Sequence, residues 1–125
     1  MKNYSILLVE DELAILNNLG TILEISGYKC YKANSAFEAL EHLENITPQL
    51  ILCDVMMPEM DGFELLQKIR QNPKTASIPF CFLSARADIL DIDYGLSLGA
   101  NGYITKPFTA KDLIQTVQKL LPKDE

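Results

Sequence analysis

Glu10, Asp11, Asp54, Ser84 and Lys106 are the residues whose side chains suit metal and phosphoryl chemistry. Three carboxylates brought together repel one another, and each buried ion is costly unless compensated. A hard divalent cation is the natural compensation. The donors are all oxygens, with neither His nor Cys among them, which points to Mg²⁺ rather than zinc. A Mg²⁺ held by one or two carboxylates keeps waters and takes phosphate oxygens as further ligands. Lys106 offers a point positive charge for a phosphoryl group, and Ser84 a hydroxyl donor. Asp54 then becomes a nucleophile able to form an acyl phosphate. Each residue alone has a plainer explanation: Asp54 a strand cap, Ser84 a helix cap, Lys106 a surface lysine, Glu10 and Asp11 a solvated turn. The chemistry needs them in one place.

The pattern of the chain supplies that place. The run Leu50-Ile51-Leu52-Cys53 ends abruptly in Asp54 and is followed by a loop punctuated by Pro58 and Gly62. It reads as a strand buried on both faces, as in parallel sheets. Tyr4 to Val9 reads as a first strand stopped by Glu10, Asp11 and Glu12. Leu16, Leu19, Ile22 and Leu23 then recur at helical spacing up to Ser26, with Gly27 as the stop. Tyr28 to Ala33 is a second strand. Ser35 with Glu38 forms a capping box for a helix from Ala36 to Glu44. After Asp61-Gly62 a helix turns Phe63, Leu66 and Ile69 inward and ends at Asn72-Pro73. Ile78 to Leu83 is a fourth strand, a helix spans Ala87 to Leu98 before Gly99, and Gly102 to Thr105 is a fifth strand. Thr109, with Asp112, caps a last helix through Leu121. His42 falls on the second helix as a solvent-facing residue, and the tail Pro122 to Glu125 is polar and expected to fray.

Five strands alternating with five helices predict a three-layer α/β/α fold with a five-stranded parallel sheet. The carboxyl ends of parallel strands share one edge, where such sheets place their ligands. Glu10 and Asp11, Asp54, Ser84 and Lys106 all stand at such ends, so they converge. At 125 residues the chain is expected to be one domain, residues 1–125, with no repeat or internal linker. A net charge of −6 argues against direct binding of nucleic acid or of an anionic membrane. Cys30, Cys53 and Cys81 lie in or beside strands and read as small core residues, which suits a reducing cytoplasm. No run approaches the roughly 20 apolar residues of a membrane span.

Four stretches together resemble the receiver domain of two-component response regulators, the CheY-like family, across essentially the whole chain. They are Leu8-Val9-Glu10-Asp11-Glu12, Asp54 through Gly62, Ser84-Ala85, and Gly99 through Phe108. The resemblance implies strand order 2-1-3-4-5 and a cis bond between Lys106 and Pro107. It implies that Asp54 accepts a phosphoryl group from a sensor histidine kinase or phosphotransfer protein. Mg²⁺ is then held by Asp11, Asp54 and the Met56 carbonyl, with Glu10 acting through water, while Ser84 and Lys106 hold phosphoryl oxygens. Ser84 and Tyr103 are the switch pair, remodelling the face made by the fourth helix, fifth strand and fifth helix toward a downstream protein or output domain. Met56 and Arg86 occupy the positions that tune phosphate lifetime.

Departures from the family pattern narrow the reading. Glu10 stands where many members have Asp, a variant compatible with the water-mediated role. Asn101 and Gly102 replace an acidic pair, and Thr116 and Gln118 stand where arginines are usual, which argues against the dimer used by winged-helix regulators. The sequence is compatible with a stand-alone regulator or with a receiver cut from a longer chain. A phosphatase of the haloacid-dehalogenase type needs an acid two residues after the nucleophile, and Met56 stands there. A nucleotide or flavin site needs a Gly-rich or Ser/Thr-rich loop after the first strand, where acids stand instead. A degenerate receiver acting only as a constitutive binding module is the alternative, and it would lack the acids or the lysine.

Overall fold

The computed structural model describes residues 4–122. The strands are β1 (Ser5–Val9), β2 (Lys29–Ala33), β3 (Leu50–Asp54), β4 (Phe80–Ser84) and β5 (Gly102–Thr105). The helices are α1 (Leu13–Ile25), α2 (Ala36–Asn45), α3 (Gly62–Gln71), α4 (Ile89–Ser97) and α5 (Ala110–Leu120). All strand pairs are parallel, in the order β2-β1-β3-β4-β5 that the resemblance implies.

Alternation along the buried strands divides the core in two. Leu7, Val9, Ile51, Cys53, Phe80 and Phe82 pack on the face covered by α2 and α3. Ile6, Leu8, Leu50, Leu52, Cys81 and Leu83 pack on the opposite face, against Leu16, Leu19 and Leu23 of α1 and Leu113 and Val117 of α5. Helices cover both faces, which is why β1, β3 and β4 read as nearly unbroken apolar runs. The chain steps from β1 out to β2 and returns past β1 to β3. Strand order therefore reverses between β1 and β3, the place where open α/β sheets form their crevice.

Caps set the helix ends facing that crevice. Asp61 and Glu64 form a reciprocal capping box at α3, and Thr109 and Asp112 another at α5. Gly62 opens α3 because nothing larger fits: its N–H donates to the Val55 carbonyl at 2.8 Å, and a Cβ there would collide with the Asp54 carbonyl oxygen. At the far end of α3, Arg70 donates to the carbonyls of Ala76, Ile78 and Gly99 and to Asn101 Oδ1. Asn101 Oδ1 also accepts the Phe80 N–H at 2.9 Å. This pins the turn between α4 and β5 to the start of β4.

Several sequence expectations shift. Helix α1 begins at Leu13, a turn before the apolar spacing signals it, because its first turn faces solvent. Helix α4 begins at Ile89 rather than Ala87, since Ala85 to Asp88 form the turn leaving β4. Strand β4 starts at Phe80, and Pro79 lies before it with its carbonyl accepting the Ile51 N–H. His42 is not solvent-facing: it is half-buried, packs against Tyr31 with tilted rings and centroids 5.9 Å apart, and has Nε2 2.9 Å from the Lys32 carbonyl oxygen. The tail expected to fray lies outside the described residues beyond Pro122, whose carbonyl accepts the Tyr4 hydroxyl.

Candidate phosphoryl and metal site

Strand register brings the functional side chains to one edge. Val9 pairs with Cys53, Asp54 with Leu83, and Ser84 with Thr105. Glu10 and Lys106 follow β1 and β5 directly, and Asp54 and Ser84 are the last residues of β3 and β4. One carboxylate oxygen from each of Glu10, Asp11 and Asp54 lies within 4.8 Å of the others. The Lys106 Nζ sits 3.0 Å from Glu10 Oε1 and 3.3 Å from Asp54 Oδ2. The Lys106–Pro107 bond is cis.

The cluster is short of positive charge. Glu10 and Asp54 are buried, while Asp11 is half-buried. Burial pushes the Glu10 carboxyl up to about 7 and Asp54 adds to the rise, against the pull of Lys106 and the Glu12 N–H. Burial draws the Lys106 ammonium down, yet its hydrogen bond to Glu10 and the charges of Asp54 and Glu10 carry it above the usual lysine value. One ammonium thus faces three carboxylates. An all-oxygen donor set with uncompensated negative charge fits Mg²⁺, and Glu10, Asp11 and Asp54 are the side chains able to hold it.

The surrounding groups are also in place. The Met56 N–H donates to Asp54 Oδ1 at 3.3 Å, while the Met56 side chain is 59 % exposed. An open cleft of about 390 Å³ lies over the loop after Asp54, lined by Val55, Met56, Met57, Pro58, Asp61 and Arg86. Ser84 is fully buried, and its Oγ accepts the Arg86 N–H at 3.0 Å. It shapes the turn after β4 rather than capping α4. The Tyr103 ring packs on Phe82 with centroids 5.7 Å apart. Sequence reasoning did not single out Gly62 as the residue that lets α3 approach Asp54, although the Asp61-Gly62 pair was its visible signal. Arg70 left no such signal.

Comparison with known proteins identifies what the chain is similar to in sequence and fold. The family model for the response regulator receiver domain matches residues 6–118. Response regulator Rre1 of Synechocystis sp. is 36 % identical over 122 residues, covering 97 % of this chain and 53 % of the relative. The CpxR homolog of Haemophilus influenzae, a transcriptional regulatory protein, is 39 % identical over 116 residues, covering 93 % of this chain and 49 % of the relative. The chain spans about half the length of these relatives. The solved structure of the Vibrio cholerae chemotaxis protein CheY4 superimposes with a TM-score of 0.91 at 28 % identity, covering 96 % of this chain and all of that one.

Proposed function

Because the chain belongs to the response regulator receiver domain family, we propose that it is a signalling switch whose phosphoacceptor is Asp54. The observation that carries this reading is the single ammonium of Lys106 held between Glu10 and Asp54 beside a third carboxylate. A carboxylate nucleophile, a metal-binding acid cluster and a phosphoryl-pairing cation are what acyl phosphate formation requires.

In the proposed reaction an Asp54 oxygen attacks phosphorus of a phosphohistidine on a sensor kinase or phosphotransfer protein. The O–P bond forms, the P–N bond breaks, and the leaving imidazole takes up a proton. Asp11, Asp54 and the Met56 carbonyl are the proposed direct Mg²⁺ ligands, with Glu10 acting through water. When bound, Mg²⁺ neutralises charge on the phosphoryl oxygens. Lys106 pairs with one phosphoryl oxygen and Ser84 donates its hydroxyl to another. Ser84 Oγ can donate its hydroxyl while still accepting the Arg86 N–H, so its movement toward the phosphoryl group draws on the Arg86 segment, and Tyr103 responds because its hydroxyl donates to the Arg86 carbonyl. A local charge change thereby biases a two-state element formed by α4, β5 and α5.

The switch acts on a partner protein or on an output domain, as the greater length of the relatives suggests. We place residues 1–125 in one receiver domain working in the cytoplasm. No helix of the described residues is long and apolar enough to cross a membrane. The engagement of Asn101 by Arg70 and Phe80 supports a structural role for that position instead of dimerisation of the winged-helix-regulator kind. Incubation with acetyl phosphate and Mg²⁺ should add one alkali-labile phosphoryl group, detected by mass spectrometry, and Asp54→Asn should abolish it. Equal labelling of the variant would refute the assignment.

A further inference from the structure

We propose that Asp91, in the first turn of α4, competes with the phosphoryl group on Asp54 for the Arg86 guanidinium, and that this exchange transmits phosphorylation to α4. The inference rests on the reading of Asp54 as phosphoacceptor. Both backbone polar groups of Arg86 are committed, the N–H to Ser84 Oγ at 3.0 Å and the carbonyl to the Tyr103 hydroxyl at 2.8 Å. Its side chain is what remains free to move. Arg86 Nη1 lies 3.9 Å from Asp91 Oδ1, with the two side chains 44 % and 33 % exposed. A long, partly solvated pair of this kind is weak and easily exchanged.

The same residue lines the cleft over the loop after Asp54. Asp61, the carboxylate sharing that cleft, is already committed to the Glu64 N–H at α3. A phosphoryl group carries roughly −1.5 to −2 charge and three acceptor oxygens, so it outbids one carboxylate for a guanidinium. Helix α4 is poorly held where Asp91 sits. Its N-cap, Asp88, makes no side-chain capping bond, Ile89 and Leu90 are exposed, and its buried residue is Gly95. Arg70 holds the far end through Gly99 and Asn101. Withdrawing Arg86 from Asp91 therefore frees the start of α4 while its end stays fixed.

The test is a double-mutant cycle of Asp91→Asn and Arg86→Ala, read by decay of the acyl phosphate after donor removal and by backbone amide shifts. Asp91→Asn should slow decay by roughly threefold, because Arg86 covers the phosphoryl group undisturbed. It should also move the amides of residues 89 to 92 toward their phosphorylated positions before any phosphorylation. Both effects should vanish in the Arg86→Ala background, and Asp91→Glu should restore wild-type behaviour. Equal effects of Asp91→Asn with and without Arg86 would overturn the exchange while leaving Asp54 as phosphoacceptor. Failure of Asp54 to label at all would overturn both.

Discussion

The Tyr103 hydroxyl donates a 2.8 Å hydrogen bond to the carbonyl oxygen of Arg86. That bond ties β5 to the turn after β4 across 17 residues of sequence. The same peptide segment is held from the other side by Ser84. Tyr103→Phe keeps the ring on Phe82 and removes this tie. We expect a stability loss of about 1 kcal/mol, the usual net worth of one hydrogen bond. Phosphorylation at Asp54 should proceed, while the accompanying amide shifts in α4 and β5 shrink. Wild-type shifts in the variant would show that the hydroxyl carries no signal.

Lys106 competes with any cation for Glu10 and Asp54. Removing it leaves the three carboxylates without their ammonium, so Lys106→Ala should bind Mg²⁺ more tightly, by several-fold in calorimetry. The fold should persist, because Lys106 is partly exposed and belongs to neither half of the apolar core. Phosphorylation should no longer remodel α4 and α5, since the cation pairing with the phosphoryl oxygen is gone. Asp11→Ala should act in the opposite direction on the metal, weakening Mg²⁺ affinity and suppressing labelling. Unchanged affinities in both variants would remove these residues from the metal site.

Gly62 supports the site from beneath. A side chain there meets the Asp54 carbonyl and the Val55 backbone, neither of which can yield cheaply. Gly62→Ala should destabilise the protein by about 2 kcal/mol, as overpacking against backbone commonly does. Chemical denaturation measures that loss directly. Labelling should slow as well, because relief of the clash displaces Asp54 itself. A neutral substitution would show that α3 is free to slide.

Convergence of the site was legible because it follows from topology alone. Glu10, Asp54, Ser84 and Lys106 end or follow separate strands, and parallel strands end together. The exact start of α4 was not legible. Ala85 to Asp88 carry no helix breaker, and the turn there is imposed by Ser84 and Tyr103 gripping Arg86. His42 misled for a similar reason: its partner, the Lys32 carbonyl, is a backbone atom on a neighbouring strand. Arg70 was silent because its acceptors lie on segments 6 to 31 residues away and are mostly main-chain carbonyls. Local pattern reveals which face of an element is buried. It does not reveal which distant backbone groups need a donor.

Hydrolysis of the acyl phosphate requires a water in line behind phosphorus, opposite the Asp54 oxygen. The Met56 side chain is 59 % exposed and lines the cleft over the loop after Asp54, so it is placed to border that approach. Its thioether is bulky and at most a weak acceptor, unable to orient an attacking water. Arg86, on the same cleft, can cover the phosphoryl group but offers no base at neutral pH. Self-dephosphorylation should therefore be slow. The contact between Met56 and Asp54 is made by the backbone N–H, so replacing the side chain leaves it intact. Met56→Asn supplies an amide that can hold the water, and decay should accelerate by roughly tenfold, or about 1.4 kcal/mol of barrier. The measurement is loss of phosphoprotein in excess Mg²⁺ after the donor is removed. An unchanged or slower rate in Met56→Asn would mean that water reaches phosphorus by another path.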